Sequence, residues 1–273
     1  MCQKNSLPIN TPTLDYFDQI YIINLEFRKD RLAEMSAEFG KIGIDFHHPK
    51  INVFKAIRPE SFEDWPTQGA KGCYLSHIAV LKDARKNGYE RIIVLEDDVN
   101  FVQYFNILMD ETIQQLKKTT ENGKPWDIFY GGHRVKNATQ KEMMQAYKQN
   151  KLFSQNLFKP TPETEIYCLH FIALTKQIIP KTIIYLETIM SKPMGDPTGG
   201  RMHADGAYNW FRNTHKDALV LMAYPQLGFQ RSSRTDIHTL RWFDRLPLFK
   251  VAVTVARKIK NSVYTGDSQK SKV

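Results

Sequence analysis

The sequence has few cysteines and no long apolar run, and each shortage excludes a class of protein. Its three cysteines, Cys2, Cys73 and Cys168, are far apart and include no CxxC pair. This spacing argues against a disulfide framework and against a cysteine zinc site, and it fits free thiols in a reducing compartment. No window approaches the roughly 20 apolar residues of a membrane-spanning helix, and residues 1–25 lack the apolar core of a signal peptide. We therefore expect a cytoplasmic protein.

Two common phosphate-binding signatures are also missing. Neither GxxxxGK[ST] nor GxGxxG occurs, and the glycines of "GAKGC" (69–73) cannot replace them. The chain also lacks a basic patch interleaved with aromatic residues, so we predict no nucleic-acid partner. The sequence thus argues against P-loop, dinucleotide-binding and nucleic-acid-binding proteins.

Net charge is positive, and most of the excess lies near the C-terminus. The chain carries 38 Lys and Arg against 29 Asp and Glu, a net charge of +9, and residues 231–273 contribute ten against three, or +7. Over residues 246–263, apolar side chains recur on one helical face and basic side chains on the other. Two interpretations stay open: a basic amphipathic helix that binds an anionic membrane surface, or a last helix that packs on the domain.

Short apolar runs alternate with helical periodicity, which predicts an α/β fold with a mostly parallel central sheet flanked by helices. Strands are predicted at residues 19–25, 44–54, 91–96, 126–132, 165–175 and 218–225. Helices are predicted at residues 28–43, 69–88, 104–118, 181–190 and 203–213. The predicted domains are an N-terminal extension (1–18), one folded α/β domain (19–240) and a basic amphipathic C-terminal helix and tail (241–273).

The strongest chemical signal is "RIIVLEDDVNF" (91–101), in which an apolar strand leads into three carboxylates, Glu96, Asp97 and Asp98. Ligands of open α/β sheets bind at the carboxyl ends of strands. Hard oxygen ligands in that place suit Mg²⁺ or Mn²⁺, which would also offset the repulsion between the three charges. Two simpler interpretations stay open: a solvated turn, or Asp98 capping the next helix.

Three uses of such a metal can be compared. A phosphatase of the haloacid-dehalogenase type requires a second aspartate two positions after its nucleophile, but Val99 stands two positions after Asp97. A receiver domain carries its acidic pair after the first strand of a chain about half this size. A sugar-nucleotide transferase, whose metal bridges the donor diphosphate and neutralises the leaving group, meets neither objection.

Four segments, in this order and spacing, carry a family resemblance: "YIINLEFRKDRL", "GAKGCYLSHIAVLKDA", "IIVLEDDVNF" and "WDIFYGG". Together they resemble glycosyltransferase family 25, which includes bacterial lipooligosaccharide galactosyltransferases and procollagen galactosyltransferases. The similarity covers about residues 19–240. It implies a GT-A fold, a UDP-sugar donor (usually UDP-galactose), a divalent metal, inversion at the anomeric carbon and a glycan or glycolipid acceptor.

The resemblance also implies roles for individual residues. Asp98 is expected to bind the metal directly, Asp97 to join the donor-binding set, and Glu96 to face the ribose or order water. Asp205, in "RMHADGAYNWF", is the expected general base, with a helix N-cap as the alternative. His238, in "QRSSRTDIHTL", is expected to be a further metal ligand.

Two further segments are expected to contact the donor through Asn24, Arg28, Arg31, Gly72, Ser76 and His77. The two arginines would reach phosphate with forked guanidinium donors, and the glycine would let the helix backbone approach the donor. For each arginine a plain surface position is an equal alternative. For the histidine the alternative is a hydrogen-bonded core residue.

We therefore interpret the chain as a metal-dependent inverting glycosyltransferase that uses Mn²⁺ or Mg²⁺. Two other interpretations stay open: a catalytically inactive family member that binds a sugar nucleotide or glycan, and a membrane-surface scaffold built on the basic tail. If the acceptor is a lipid-linked or cell-surface glycan, the tail would hold the enzyme peripherally on the inner face of the membrane.

Overall fold

The structure, a computed structural model, describes residues 11–231. The predicted C-terminal helix and tail (241–273) and most of the predicted N-terminal extension (1–18) lie outside these residues. The two predicted domain boundaries therefore stay predictions.

Strands and helices alternate along residues 11–231. The strands are β1 (Gln19–Asn24), β2 (Ile51–Lys55), β3 (Arg91–Glu96), β4 (Val99–Phe101), β5 (Ile128–Val135), β6 (Leu157–Phe158), β7 (Ile166–Thr175), β8 (Val220–Ala223) and β9 (Gly228–Gln230). The helices are α1 (Thr11–Tyr16), α2 (Lys29–Lys41), α3 (Gln68–Asn87), α4 (Phe105–Glu121), α5 (Asn137–Lys148), α6 (Ile179–Met190) and α7 (Ala204–Thr214). None of these helices is both long enough and apolar enough to cross a bilayer.

One central sheet contains seven of the strands, in the order β2-β1-β3-β7-β5-β8-β6, while β4 and β9 pair separately. The pairs β1–β2, β1–β3 and β5–β8 are parallel, and β7 is antiparallel to both of its neighbours, β3 and β5. Strands β1, β2, β3, β5 and β8 therefore run in one direction, with β7 and the short β6 opposed. The predicted α/β class with a mostly parallel sheet is confirmed, and β7 is its internal exception.

The sheet is buried on both faces because alternate side chains of its strands pack into two hydrophobic clusters. In β1, Tyr21 and Ile23 belong to the cluster that includes α3, α6 and α7. Ile20 and Ile22 belong to the opposite cluster, with α1, α2 and α4. This alternation follows from the two-residue repeat of a strand. A strand covered on both faces is apolar throughout, as the runs in the sequence indicated.

Helix α1 falls within the predicted N-terminal extension, yet it packs against the sheet. Leu14 and Phe17 are buried in the cluster with α4. The Tyr16 hydroxyl accepts a hydrogen bond of 2.9 Å from the indole nitrogen of Trp126. The prediction placed these residues outside the folded α/β domain, so this packing was not predicted.

Helix α3, which carries "GAKGCYLSH", begins and ends at local signals. The Thr67 side chain caps its first turn by accepting a hydrogen bond of 3.0 Å from the Ala70 amide. Gly88 ends it with a left-handed φ of 71°, as the Asn87-Gly88 pair predicted. These ends place the first turns of α3 beside the carboxyl end of β3.

A pair of glycine substitutions tests the packing around β5. A Cβ at Gly132 would meet His170 Nε2 at 2.2 Å and Gly228 O at 2.6 Å. Gly132→Ala therefore requires β5 to move away from these two residues. We expect it to lower the free energy of unfolding by about 1–3 kcal/mol, measured by urea denaturation. The control is Gly40→Ala in α2, where a Cβ meets nothing within 4 Å, and it should raise stability by about 0.5–1 kcal/mol. Equal effects in the two variants would contradict this packing.

Candidate active site

The three carboxylates lie where β3 leaves the sheet, and they are not in a solvated turn. Asp97 and Asp98 are only 5% and 6% exposed. Strand β4 follows them, and α4 begins after Tyr104, so Asp98 does not cap that helix. Both simpler interpretations of the acidic run are therefore wrong.

Asp97 is held by two residues that the sequence assigned to the donor site. Asn24, at the end of β1, donates from Nδ2 to Asp97 Oδ2 at 2.8 Å. Arg31, in the first turn of α2, places Nη1 2.5 Å from Asp97 Oδ1 and 3.6 Å from Asp98 Oδ2. The guanidinium of Arg31 thus has a carboxylate partner that the sequence did not predict, and its contact with phosphate stays a prediction.

Arg231, which follows β9, donates hydrogen bonds to the turn that contains Asp97 and Asp98. Its Nη2 donates to the Asp97 carbonyl at 3.0 Å and its amide to the Asp98 carbonyl at 2.6 Å. Its Nη1 donates to Asn100 Oδ1 at 2.9 Å. Sequence reasoning missed Arg231, because its role depends on the pairing of β4 with β9 and leaves no local signal.

Asp98 is the least satisfied of the three carboxylates. Gln230 Nε2 lies 3.4 Å from its Oδ2, whereas its buried Oδ1 has no hydrogen-bond partner within residues 11–231. Burial and the charge of Glu96 raise the pKa of Asp98 to about 7, although Arg31 acts in the opposite direction. An acidic oxygen left without a donor in a buried position is a natural ligand for a cation.

Glu96 points toward α3 and not toward the two arginines. Its Oε1 lies 3.7 Å from His77 Nε2 and 3.7 Å from Cys73 Sγ. Burial opposes ionisation of Glu96, but the nearby histidines His77 and His170 outweigh it and lower the pKa of this carboxyl. The run of three carboxylates is therefore divided between two sides of the strand end.

The carboxylates form the floor of a cleft of about 270 Å³. Its walls come from the end of β1 and the turn after it, from the loop before α3 and from the first turns of α3; the lining includes Leu25, Phe27, Arg31, Ile57, Arg58, Gln68, Gly72, Cys73, Ser76 and His77. Phe27 is 53% exposed, and the guanidinium of Arg58 lies 5.0 Å from its ring centroid. The cleft thus joins an apolar, partly aromatic wall to an acidic floor.

Gly72 and Ser76 shape the cleft wall. A Cβ at Gly72 would meet the Ile57 carbonyl at 2.6 Å, so glycine permits the loop to lie against α3. The Ser76 hydroxyl accepts a hydrogen bond from the Ile57 amide at 2.8 Å and donates to the Gly72 carbonyl at 2.7 Å. Both residues line the predicted site, and the contacts they make are with the protein's own backbone.

Asp205 lies in the first turn of α7, although it is not the N-cap, which is His203. The N-cap alternative is therefore wrong. Both carboxylate oxygens of Asp205 accept backbone hydrogen bonds, Oδ2 from Cys168 at 3.1 Å and Oδ1 from Gly206 at 2.8 Å. An acidic residue in a first helical turn is also stabilised by the helix dipole.

Asp205 lies near the acidic floor, although it does not line the cleft itself. Burial raises the pKa of the Cys73 thiol, and the charges of Glu96, Asp205 and Asp98 raise it further. These three carboxylates, from β3, the turn after it and α7, are thus within electrostatic range of one side chain. The role of Asp205 as a base stays a prediction.

Two other predicted residues lie away from the cleft or outside the structure. Arg28 does not line the cleft, and its Nη2 forms an ion pair of 2.8 Å with Asp30. His238 lies outside residues 11–231, so its assignment as a metal ligand stays a prediction.

The site also fits the divalent cation that the sequence predicted. Its donors are carboxylate oxygens, which Mg²⁺ and Mn²⁺ prefer, and one of them, Asp98 Oδ1, is buried without a partner among the described residues. Against this, Arg31 already balances part of the negative charge, and Arg231, whose ion pair of 2.9 Å is with Glu34, has a smaller effect on Asp98. The residues present therefore fit a cation at Asp98 better than at Asp97.

The fold and this cleft define an α/β protein with an acidic ligand site at the carboxyl ends of parallel strands. Residues 17–188 match the profile of glycosyltransferase family 25, described as an LPS biosynthesis protein family. The chain belongs to glycosyltransferase family 25, and the predicted resemblance is confirmed.

Curated relatives match only part of the chain. It is 27% identical over 146 residues to procollagen galactosyltransferase 1-B of Xenopus laevis, covering 47% of this chain and 23% of that protein. It is 25% identical over 157 residues to a probable inactive glycosyltransferase 25 family member 3 of Bos taurus, covering 51% of this chain and 26% of that protein. The chain thus spans about a quarter of the length of these relatives.

Two solved structures resemble the chain distantly. A glycosyltransferase involved in glycosylation of the major capsid of PBCV-1 aligns with a TM-score of 0.41 and 10% identity, over 80% of this chain and 94% of that one. Mouse xyloside xylosyltransferase 1 aligns with a TM-score of 0.36 and 11% identity, over 74% and 71% of the two chains. Similarities of this size carry no weight for fold or function.

Removing the partner of Asp97 should destabilise the fold. Arg31→Gln leaves a buried carboxylate without its guanidinium, and we expect the free energy of unfolding to fall by about 3–5 kcal/mol. The matched control is Lys82→Gln, which removes a surface ion pair with Glu187 (2.6 Å) and should cost less than about 1 kcal/mol. Both are measured by urea denaturation.

A double variant distinguishes loss of the Arg31–Asp97 ion pair from other effects of the Arg31→Gln substitution on stability. Asp97→Asn removes the buried charge, so adding it to Arg31→Gln should recover part of the lost stability. If Arg31→Gln costs no more than Lys82→Gln, the buried ion pair does not stabilise the site.

Proposed function

We propose that the protein is a metal-dependent inverting glycosyltransferase with a GT-A-like fold. It transfers a sugar, with galactose as the first candidate, from a UDP-sugar to a hydroxyl of a glycan acceptor such as lipooligosaccharide. Membership of family 25 supports sugar-transfer chemistry. The observation that carries the metal-dependent form is the buried Oδ1 of Asp98, which has no hydrogen-bond partner within residues 11–231 and belongs to a residue that lines the cleft.

The composition of the cleft supports a nucleotide-sugar donor. The exposed ring of Phe27 offers a flat apolar surface to a base. Arg58, beside that ring, and Arg31, at the floor, offer forked donors to phosphate oxygens. A ligand with a base at one end and two phosphates at the other matches this arrangement.

Asp98 is the proposed direct ligand of Mn²⁺ or Mg²⁺, with Asp97 and Glu96 nearby in the same acidic run. When bound, the cation supplies positive charge that stabilises the departing nucleoside diphosphate. The Arg31 guanidinium orients Asp97 and balances its charge, which leaves Asp98 Oδ1, without a partner in residues 11–231, as the oxygen that would bind a cation.

In the proposed reaction the acceptor hydroxyl attacks the anomeric carbon of the donor sugar. The new carbon–oxygen bond forms as the bond to the nucleoside diphosphate breaks, and one displacement inverts the configuration to give a β-linkage. Asp205 takes the hydroxyl proton as the general base. Its proximity to the acidic floor supports this role.

The proposal extends to location. The basic segment 241–273, which lies outside the described residues, would hold the protein on an anionic inner membrane face while the catalytic domain stays in the cytoplasm. A lipid-linked acceptor would then be presented at the same surface.

A second candidate function is donor or glycan binding without turnover. Two observations favour it: one relative is named a probable inactive family member, and Arg31 and Arg231 balance part of the acidic floor without a metal. A catalytic test therefore needs a binding readout beside it.

The central experiment incubates the protein with a panel of nucleotide sugars, with and without Mn²⁺, and measures release of the nucleoside diphosphate. We expect Mn²⁺-dependent release, strongest with a UDP-sugar, and at least about 100-fold less from Asp98→Asn, because a charge-stabilising contact to the leaving group is lost. Asp110→Asn, at an exposed position of α4, is the matched control and should behave as wild type.

The change in melting temperature on adding UDP and Mn²⁺ distinguishes a transferase from a protein that binds the donor without turnover. Stabilisation of the wild type without product release from any sugar would favour a binding protein. If wild type and Asp98→Asn release the nucleoside diphosphate equally, Asp98 is not the metal ligand.

Asp205→Asn tests the base. The amide oxygen can still accept the Cys168 N–H bond, although the amide nitrogen cannot accept from Gly206. One of the two contacts that hold the side chain is therefore kept while the proton acceptor is lost. We expect acceptor-dependent transfer to fall by about 10²–10⁴-fold, with the UDP and Mn²⁺ thermal shift unchanged. If Asp205→Asn transfers sugar to the acceptor at the wild-type rate, Asp205 is not the general base and its role is structural.

A further inference from the structure

Three side chains of different chemistry converge on one wall of the cleft: Cys73, His77 and Glu96. Their sulfur, nitrogen and oxygen atoms all lie within 4.8 Å of one another. Cys73 and His77 are four residues apart on α3, so they project from the same face on successive turns. Glu96, the last residue of β3, faces them.

The distances match the edges of a tetrahedral zinc site. Zinc binds thiolate at about 2.3 Å and imidazole nitrogen or carboxylate oxygen at about 2.0–2.2 Å, which places tetrahedral neighbours about 3.4–3.6 Å apart. In this protein Glu96 Oε1 lies 3.7 Å from both Cys73 Sγ and His77 Nε2. Movements of a few tenths of an ångström would bring these two edges to the tetrahedral values, and the ligand atoms of Cys73 and His77, which form the third edge, lie within 4.8 Å of each other.

The nitrogen of His77 supplies an independent sign that a ligand belongs there. The side chain is only 1% exposed, and its Nε2 has no hydrogen-bond partner within residues 11–231. Glu96 Oε1, at 3.7 Å from this nitrogen, is too far for a hydrogen bond. A buried polar atom without a partner is costly, and a metal–nitrogen bond would remove that cost.

We propose that Cys73, His77 and Glu96 form a binding site for Zn²⁺ or a similar borderline-soft divalent cation. Binding replaces the Cys73 thiol proton, which is released to solvent, and the thiolate and carboxylate together balance the two positive charges. Three protein ligands leave a fourth position open to water, as in zinc sites that take a further ligand.

The donor set separates this site from the cation position at Asp98. A thiolate and an imidazole select zinc, whereas carboxylate oxygens alone suit Mg²⁺ and Mn²⁺. The spacing of the cysteines argued against a cysteine zinc site, but that argument concerned sites with paired cysteines. The mixed set requires one cysteine, with its other ligands supplied by α3 and β3.

The test titrates the full, tag-free chain with Co²⁺ as a zinc probe and then displaces the Co²⁺ with Zn²⁺, with no nucleotide present. We expect a near-ultraviolet thiolate-to-cobalt band that saturates at one equivalent of Co²⁺ for the thiolate site. Cys73→Ser should abolish the band and weaken Zn²⁺ binding by more than the roughly 10–100-fold that loss of an outer-shell partner costs. Cys168→Ser, at the other described free cysteine, is the matched control and should keep both signals.

A second measurement uses the wild-type chain and does not depend on variants folding. Zn²⁺ should slow alkylation of Cys73 at least about 10-fold, because the thiolate is bonded to the metal, and should leave Cys168 unchanged, as read by peptide mass mapping. A cobalt–thiolate band that persists in Cys73→Ser, or Cys73 alkylation that ignores Zn²⁺, would overturn the proposal. Since no nucleotide is used, failure here is distinct from failure of the transferase proposal.

Discussion

A run of three carboxylates (96–98) at the end of β3, two of them buried, is the constraint on which the rest of the site depends. Folding can place these charges out of water only with positive charge beside them, because an unpaired buried charge costs several kcal/mol. Arg31 and Arg231 supply it, and in doing so they connect α2 and the end of β9 to the strand end. Of the three carboxylates, the guanidinium groups lie beside Asp97 and Asp98 only, and Glu96 lies beside His77 instead.

Local sequence patterns were sufficient for β1, β3, α2 and α3 around the site, although not for the short β4 and β9 or for the direction of every strand. Strand β3 was predicted at its observed bounds, and α3 to within one residue at each end, because apolar runs and caps are properties of neighbouring residues. The antiparallel direction of β7 depends on its partners in the sheet, which residues 165–175 do not encode. Helix α5 was missed because Met143 is its one buried residue among those described, so its apolar stripe is weak.

The site was predictable where it follows from topology and unpredictable where it depends on long-range pairing. Asn24 meets Asp97 because β1 and β3 are parallel neighbours that end at the same edge of the sheet. Arg31 was expected to bind phosphate, but a guanidinium fork fits a carboxylate equally well, and only the fold brings Asp97 to it. The four-residue spacing of Cys73 and His77 is visible in the sequence, whereas the third member of their cluster is not.

One short strand end presents two different sets of donor atoms to one cleft. Glu96 is the last residue of β3, whereas Asp98 lies in the turn that follows. Glu96 therefore faces the thiol and imidazole of α3, while Asp98 lies beside the Arg31 guanidinium and the Gln230 amide. Both sides are acidic, and charge alone would not distinguish their ions. The donor atoms do, since sulfur and nitrogen favour zinc and oxygen favours magnesium or manganese. The two sets share no ligand atom, so an ion at one side leaves the coordinating atoms of the other in place.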